Sequence, residues 1–315
     1  MMRHLERSRP NLLGIVGALA TTAVLAGAIS ACGSGVGAGS SKIAAAGAEN
    51  EYANVISQIG GPYVQVTAIL SNPNTDPHTF EASPSVARTV GDAQLVVQNG
   101  VGYDSWMSTI EDANPSSSRK VIDVQTLLGL PDNTPNPHLW YDPDTMPKVA
   151  TAIGDDLAAL APAHAAYFHS EVTTFDTSLT AWTSAIASLK SSFPDTPVAT
   201  TEPVADYMLQ AAGFNNLTPW VFQADIMNGV DPSAQDVSQE QSLFTQHQAK
   251  VFLYNQQVTD SLTQSMLSLA QQNGIPVVGV YETMPTPGYD YQSWMLAEVN
   301  AVHQALTNGR STTHL

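Results

Sequence analysis

Two rhythms of apolar and polar residues divide this chain. From residue 42 onwards, short apolar runs alternate with amphipathic stretches. KIAAAGAEN (42–50) predicts a strand running into a helix start, and Glu51–Gly60 a helix stopped by Gly60 and Gly61. Val64–Leu70 is β-branched and apolar, the pattern of a buried strand. Ser83 and Pro84 open a helix reaching Asp92, as cap and first-turn proline. Ala93–Gln98 and Lys120–Val124 predict two further strands. The rhythm then changes. Phe168, Phe175, Leu179, Trp182, Ile186 and Leu189 step by seven, four, three, four and three, a helical stripe. One long helix, or two collinear ones, is expected over 147–191, with Pro162 as a possible interruption or start.

Alternation resumes afterwards. Pro197–Thr201, Val251–Tyr254 and Ile275–Tyr281 predict strands, and Val204–Ala212, Ser238–Gln248, Ser261–Asn273 and Tyr291–Leu306 predict helices. Strands separated by helices form parallel sheets with crossover connections. The expected fold class is therefore α/β, with a parallel sheet and flanking helices in each of two lobes: 42–146, then the long helix, then 192–315.

The first forty residues bear on location. Arg3, Arg7 and Arg9 precede an uncharged stretch from Asn11 to Ile29, followed by Ser30-Ala31-Cys32 and a Gly/Ser run to residue 41. A basic n-region, an apolar h-region and small residues at a cleavage site predict an export signal over 1–31. The apolar run could also span a bilayer. Cys32 argues for the first reading: it is the only cysteine, so it has no intramolecular disulfide partner, and it stands where the signal would be cut. The segment resembles a bacterial lipobox. That resemblance implies lipidation of Cys32 and a membrane anchor, with 32–41 as a flexible tether. Removal of the signal takes three arginines and one glutamate, moving the net charge from −17 to −19. No basic cluster follows, which excludes a nucleic-acid partner.

In parallel sheets, ligands gather at the carboxyl ends of strands. Four side chains with affinity for metals follow predicted strands. His78 stands in NTDPHTFE and His138 in TPNPHLWYDP, each behind a proline. Glu202 follows PVATT and Glu282 follows VVGVY. Imidazole and carboxylate together suit zinc or manganese. Proline fixes its own φ and holds the preceding residue extended, so each histidine is aimed in advance. Asp76, Asn136 or a nearby carbonyl could bond the distal ring nitrogen. Pro-His alone is weak evidence, and Glu202 could simply cap the next helix. Asp290 and Asp225 compete with Glu282 for the fourth position.

Ordered along the chain, AENEYANVISQIGG, DPHTFEASPSVARTVGDAQLVVQNGVGYDSWM, NPHLWYDPDTM, TTEPVADYM, DPSAQDV and YETMP ahead of YQSW resemble the solute-binding lipoproteins of zinc and manganese ABC importers. The resemblance covers about residues 42–308. It implies two α/β lobes joined by one long rigid helix, with the metal between them. It implies His78, His138, Glu202 and Glu282 as ligands. Glu282 departs from the family's commoner aspartate, and the His-rich loop of some zinc-specific members is missing. The implied cargo is Zn2+, favoured over Mn2+, delivered to an ABC permease by an extracytoplasmic, lipid-anchored monomer that is not an enzyme. Two other readings remain at this stage: an exported metal-dependent hydrolase with Glu282 as general base, and an adhesin stapled by metal. His164, His169 and Glu171 are expected on solvated surface, and no phosphate loop, HExxH or G-x-S-x-G motif occurs.

Overall fold

A computed structural model describes residues 42–73, 77 and 80–315. The first lobe runs β1 (Ile43–Glu49), α1 (Asn50–Gly60), β2 (Val64–Leu70), α2 (Pro84–Asp92), β3 (Leu95–Gln98), α3 (Ser105–Ala113), β4 (Lys120–Asp123), α4 (Val124–Leu128) and α5 (Thr145–Leu160). Two helices follow, α6 (Ala165–Ser178) and α7 (Thr180–Ser192). The second lobe runs β5 (Pro197–Thr200), α8 (Asp206–Ala211), β6 (Asn215–Asn216), α9 (Trp220–Met227), α10 (Ala234–Thr245), β7 (Phe252–Asn255), α11 (Ser261–Gln272), β8 (Val277–Val280) and α12 (Tyr291–Asn308).

The strands are parallel throughout, in the orders β2-β1-β3-β4 and β6-β5-β7-β8. The two orders are equivalent, with the chain reversing direction between β1 and β3 in one sheet and between β5 and β7 in the other. Such switch points open a crevice beyond the carboxyl ends of the strands. Gly47 lets β1 run close beneath α1. A Cβ at that position would lie 2.4 Å from the backbone nitrogen of Ala53.

Residues 147–191 do not form a single helix; Pro162 interrupts them, an alternative that the sequence left open. Proline lacks an N–H and disfavours helical geometry in the residue before it. Accordingly, Ala161 leaves the helix at φ −137°, ψ 74°, and Pro162–His164 form a tight turn. Helix α5 therefore ends early and packs along α6, where Gly154 leaves room for Val172. The rod itself is α6 and α7, with Leu179 between them still in right-handed helical geometry. At 1.5 Å per residue it is about 40 Å long. Its apolar stripe is buried throughout, α6 against α1 and α5, α7 against α8 and α12.

One apolar core continues through both lobes. Its centre is a run of edge-on aromatic contacts: Tyr52 on Trp140, Tyr141 on Trp294, and Trp182 on Tyr291. Polar links cross the same junction. Tyr291 donates to the Trp140 carbonyl at 2.6 Å and Tyr141 to the Tyr281 carbonyl at 2.8 Å. The Asn50 side chain closes a two-bond ring with the Met284 backbone, donating at 2.8 Å and accepting at 2.9 Å. Lobes joined in this way resist wide hinge opening.

Candidate metal centre

His138 follows Pro137 in a loop that α8 helps to hold: Tyr207 donates to the Asn136 carbonyl at 3.0 Å. Asn136 orients the imidazole. Its amide nitrogen donates to the Pro203 carbonyl at 2.8 Å, and its Oδ1 accepts the His138 backbone N–H at 3.1 Å. Those two bonds fix which end of the amide is oxygen. That oxygen lies 2.7 Å from His138 Nδ1, so Nδ1 carries a proton. Nε2 is then the ring's outward donor atom, 3.3 Å from Oε2 of Glu282. Both side chains are fully buried. Tyr103 and Trp140 wall the imidazole with ring centroids 5.9 and 5.4 Å away.

Glu282 stands two residues beyond β8. Gln257 holds its backbone, accepting the N–H groups of Glu282 and Thr283 at 2.5 and 2.8 Å. Tyr103 donates to its Oε2 at 3.0 Å. Glu202 stands two residues beyond β5, buried, and does not cap α8 through its side chain, since α8 begins at Asp206 without a side-chain cap. The amide nitrogen of Asn255 donates to Oε1 of Glu202 at 3.1 Å and to Oε1 of Glu282 at 2.7 Å. Both carboxylates and Asn255 thus meet at the crevice beyond β5, β7 and β8.

His78, Asp76 and Cys32 lie outside the described residues. Among the described residues, no three His, Cys, Asp or Glu side chains converge as a metal-holding group. His138 meets Glu282, and Glu202 joins them through Asn255. The rival fourth positions go elsewhere. Asp290 caps α12, accepting the Ser293 N–H at 2.9 Å, and Asp225 lies within α9. His164 stacks on Tyr63 with ring centroids 3.9 Å apart.

Sequence reasoning missed the acids of the first lobe. Glu49 ends β1, Glu51 lies in the first turn of α1, and both are fully buried. Burial pushes both carboxyls well above the usual range, reinforced at Glu49 by Asp104 and Glu51, and at Glu51 by Glu282 and Asp104. Asp104 is pushed up to about 6 by burial, restrained by its bonds from the Asn99 and Gly100 N–H groups at 2.6 and 2.9 Å. The rule that picked out Glu202 and Glu282, a carboxylate just after a strand, also points to Glu49. The turn before Asp104 carries Val101 at φ 54° between two glycines of positive φ. A β-branched residue is rare there, and the strained turn presents Tyr103 to Glu282.

Two parallel-sheet lobes with facing switch points, bridged by one helical rod, define a two-lobed solute-binding protein. The chain matches the family model described as zinc-uptake complex component A, periplasmic, over residues 48–305, and it belongs to that family. The family comprises binding proteins, not enzymes. The manganese-binding lipoprotein MntA of Halalkalibacterium halodurans is 30% identical over 113 residues, 35% of this chain and 37% of that protein. Alignments with the curated relatives cover 33–43% of those relatives' length. The fold is similar to a ZnuA crystal structure (TM-score 0.69, 20% identity, 85% of this chain and 100% of that one). It is also similar to the periplasmic zinc-binding protein TroA of Treponema pallidum (0.67, 17%, 82% and 99%). No helix among the described residues is long and apolar enough to cross a membrane.

Proposed function

We propose that the protein captures a divalent transition metal outside the cytoplasmic membrane, zinc in preference to manganese, and delivers it to an ABC import permease. The observation that carries this reading is the pair of buried acceptors, His138 Nε2 and Glu282 Oε2, turned on each other at 3.3 Å. An imidazole nitrogen and a carboxylate oxygen are donor types that zinc takes, and here the two are buried side by side. His78, by its motif, and Glu202, by its link to Glu282, complete a set of two imidazoles and two carboxylates. The membrane anchor is lipid on Cys32, and the protein works as a monomer. Family relatives described as zinc-binding and manganese-binding are compatible with either cargo. The test is elemental analysis of chelator-stripped protein re-equilibrated with zinc and manganese in competition. One equivalent of zinc is expected. Protein that takes up neither metal would refute the reading.

A further inference from the structure

Glu298 lies on α12, fully buried, where Tyr141 reaches it from the first lobe. Among the described residues no Lys, Arg or His forms an ion pair with it. The Trp294 ring N–H, one turn earlier, donates to its Oε1 at 2.8 Å. The Tyr141 hydroxyl oxygen lies 2.8 Å from its Oε2 and 2.9 Å from its Oε1. The same oxygen lies 2.8 Å from the Tyr281 carbonyl and 3.4 Å from the Tyr281 backbone nitrogen. A phenol has one hydrogen to give, and its oxygen can also accept. The Tyr281 carbonyl can only accept and its N–H can only donate. An ionised Glu298 would compete with that carbonyl for the single hydrogen of Tyr141. The loser would be a buried acceptor facing the phenol oxygen with no hydrogen between them, which is costly.

We infer that Glu298 is a neutral carboxylic acid that donates its own hydrogen to Tyr141, so that a single proton latches the first lobe to the second. The Oε2 hydroxyl then donates to the Tyr141 oxygen, Tyr141 donates to the Tyr281 carbonyl, and Oε1 accepts from Trp294. Each contact in this chain has one donor and one acceptor. The latch ties Tyr141 both to α12 and to the segment after β8, and it holds whichever residues bind metal. Burial pushes the Glu298 carboxyl up to about 8, against the restraint of its bonds with Tyr141, Trp294 and the Tyr281 backbone. The titratable groups that face it are Tyr141, Tyr281 and Tyr291. Of the elements packed on α12, β8 carries no titratable group and α7 carries Lys190, which lies beside Gly213. Helix α1 carries Glu51 and Tyr52. Glu51 and Asp142 bear on Tyr291, and Glu282 on Tyr141, each at one remove from Glu298. An unfolded glutamate titrates near 4.3, so the latch stabilises the fold fully below about 4.3 and is lost as pH rises through about 8.

The test is infrared spectroscopy of the metal-free full chain, wild type against Glu298→Gln, between pH 6 and 9, with urea unfolding over the same range. Glutamine supplies both bonds of the neutral acid without titrating: its carbonyl accepts from Trp294 and its amide donates to Tyr141. At pH 6 the wild-type-minus-variant spectrum is expected to show the carbonyl stretch of an un-ionised carboxylic acid. That band should fade as the pH approaches 9. The urea midpoint of the wild type should fall more steeply over this range than that of Glu298→Gln. A difference spectrum at pH 6 without the un-ionised carboxyl band would overturn the inference. So would equal pH slopes in the two proteins. A Glu298→Gln protein that fails to fold at pH 6 would overturn it as well, because a neutral acid is what the amide replaces.

Discussion

His138 and Glu282 are 144 residues apart in the chain, yet Nε2 of one lies 3.3 Å from Oε2 of the other, both fully buried. One comes from the first lobe and the other from the second. Their meeting depends on the aromatic junction between Trp140, Tyr141, Trp294 and Tyr291, which sets the lobes at a fixed separation. The fold itself thus places these two side chains against each other.

Asn136 sets the tautomer of His138 and anchors its loop to Pro203. Asn136→Ala is expected to weaken zinc binding by about 10- to 100-fold, the usual effect of removing a group that orients a metal-bound histidine. Chelator-competition titration checks this. Circular dichroism should show an unchanged fold.

Much of this was legible in the sequence, for identifiable reasons. Strands such as Val64–Leu70 are bounded by glycine or proline and carry β-branched residues, and they appear where the pattern put them. The helix beginning at Pro84 carried its own cap, and Ser83 accepts the Val86 N–H. Helix α9 escaped notice because WVFQADIM is apolar on several sides, with no polar face to mark a period. Strand β6 is two residues long and has no hydrophobic signature. At the candidate site, His138, Glu202 and Glu282 could be singled out by type and by position after strands. Asn255 and Gln257 could not: neutral amides are common on surfaces, and only their burial and partners reveal a role.

Asn50 closes the lobe junction through two bonds to Met284. Asn50→Ala leaves a buried N–H and C=O without partners, a loss of about 1–3 kcal/mol for each unpaired group. Urea unfolding of the metal-free protein should show a lower midpoint, with little change in the denaturant slope.

Glu240 gives the second lobe a pH dependence of its own. Burial pushes its carboxyl up to about 8, with a 3.3 Å bond from Thr218 as a partial restraint. An unfolded glutamate titrates near 4.3. Between those values the folded chain holds a proton that the unfolded chain has lost. The stabilisation is thus complete below about 4.3 and disappears as pH rises through about 8, by up to about 1.4 kcal/mol per pH unit. Glu298, also raised to about 8 by burial, adds to the same slope. Glu240→Gln cannot titrate, so its stability should fall less steeply between pH 5 and 8. Denaturant titrations across that range in the presence of chelator check the slope.

Gly47 lies where β1 runs against the backbone of α1. Gly47→Ala must push β1 and α1 apart, at a cost of about 1–3 kcal/mol. The expected readout is a lower melting temperature for the metal-free protein, with His138-dependent zinc binding retained in the folded fraction.

The central claim is that a cation sits between the lobes on His138. Titration of chelator-stripped wild-type and His138→Ala protein with zinc, under a competing chelator of known affinity, tests it most directly. A loss of at least tenfold in affinity, with circular dichroism showing both proteins folded in the absence of metal, is the predicted result. Equal affinity in the two proteins would contradict the account.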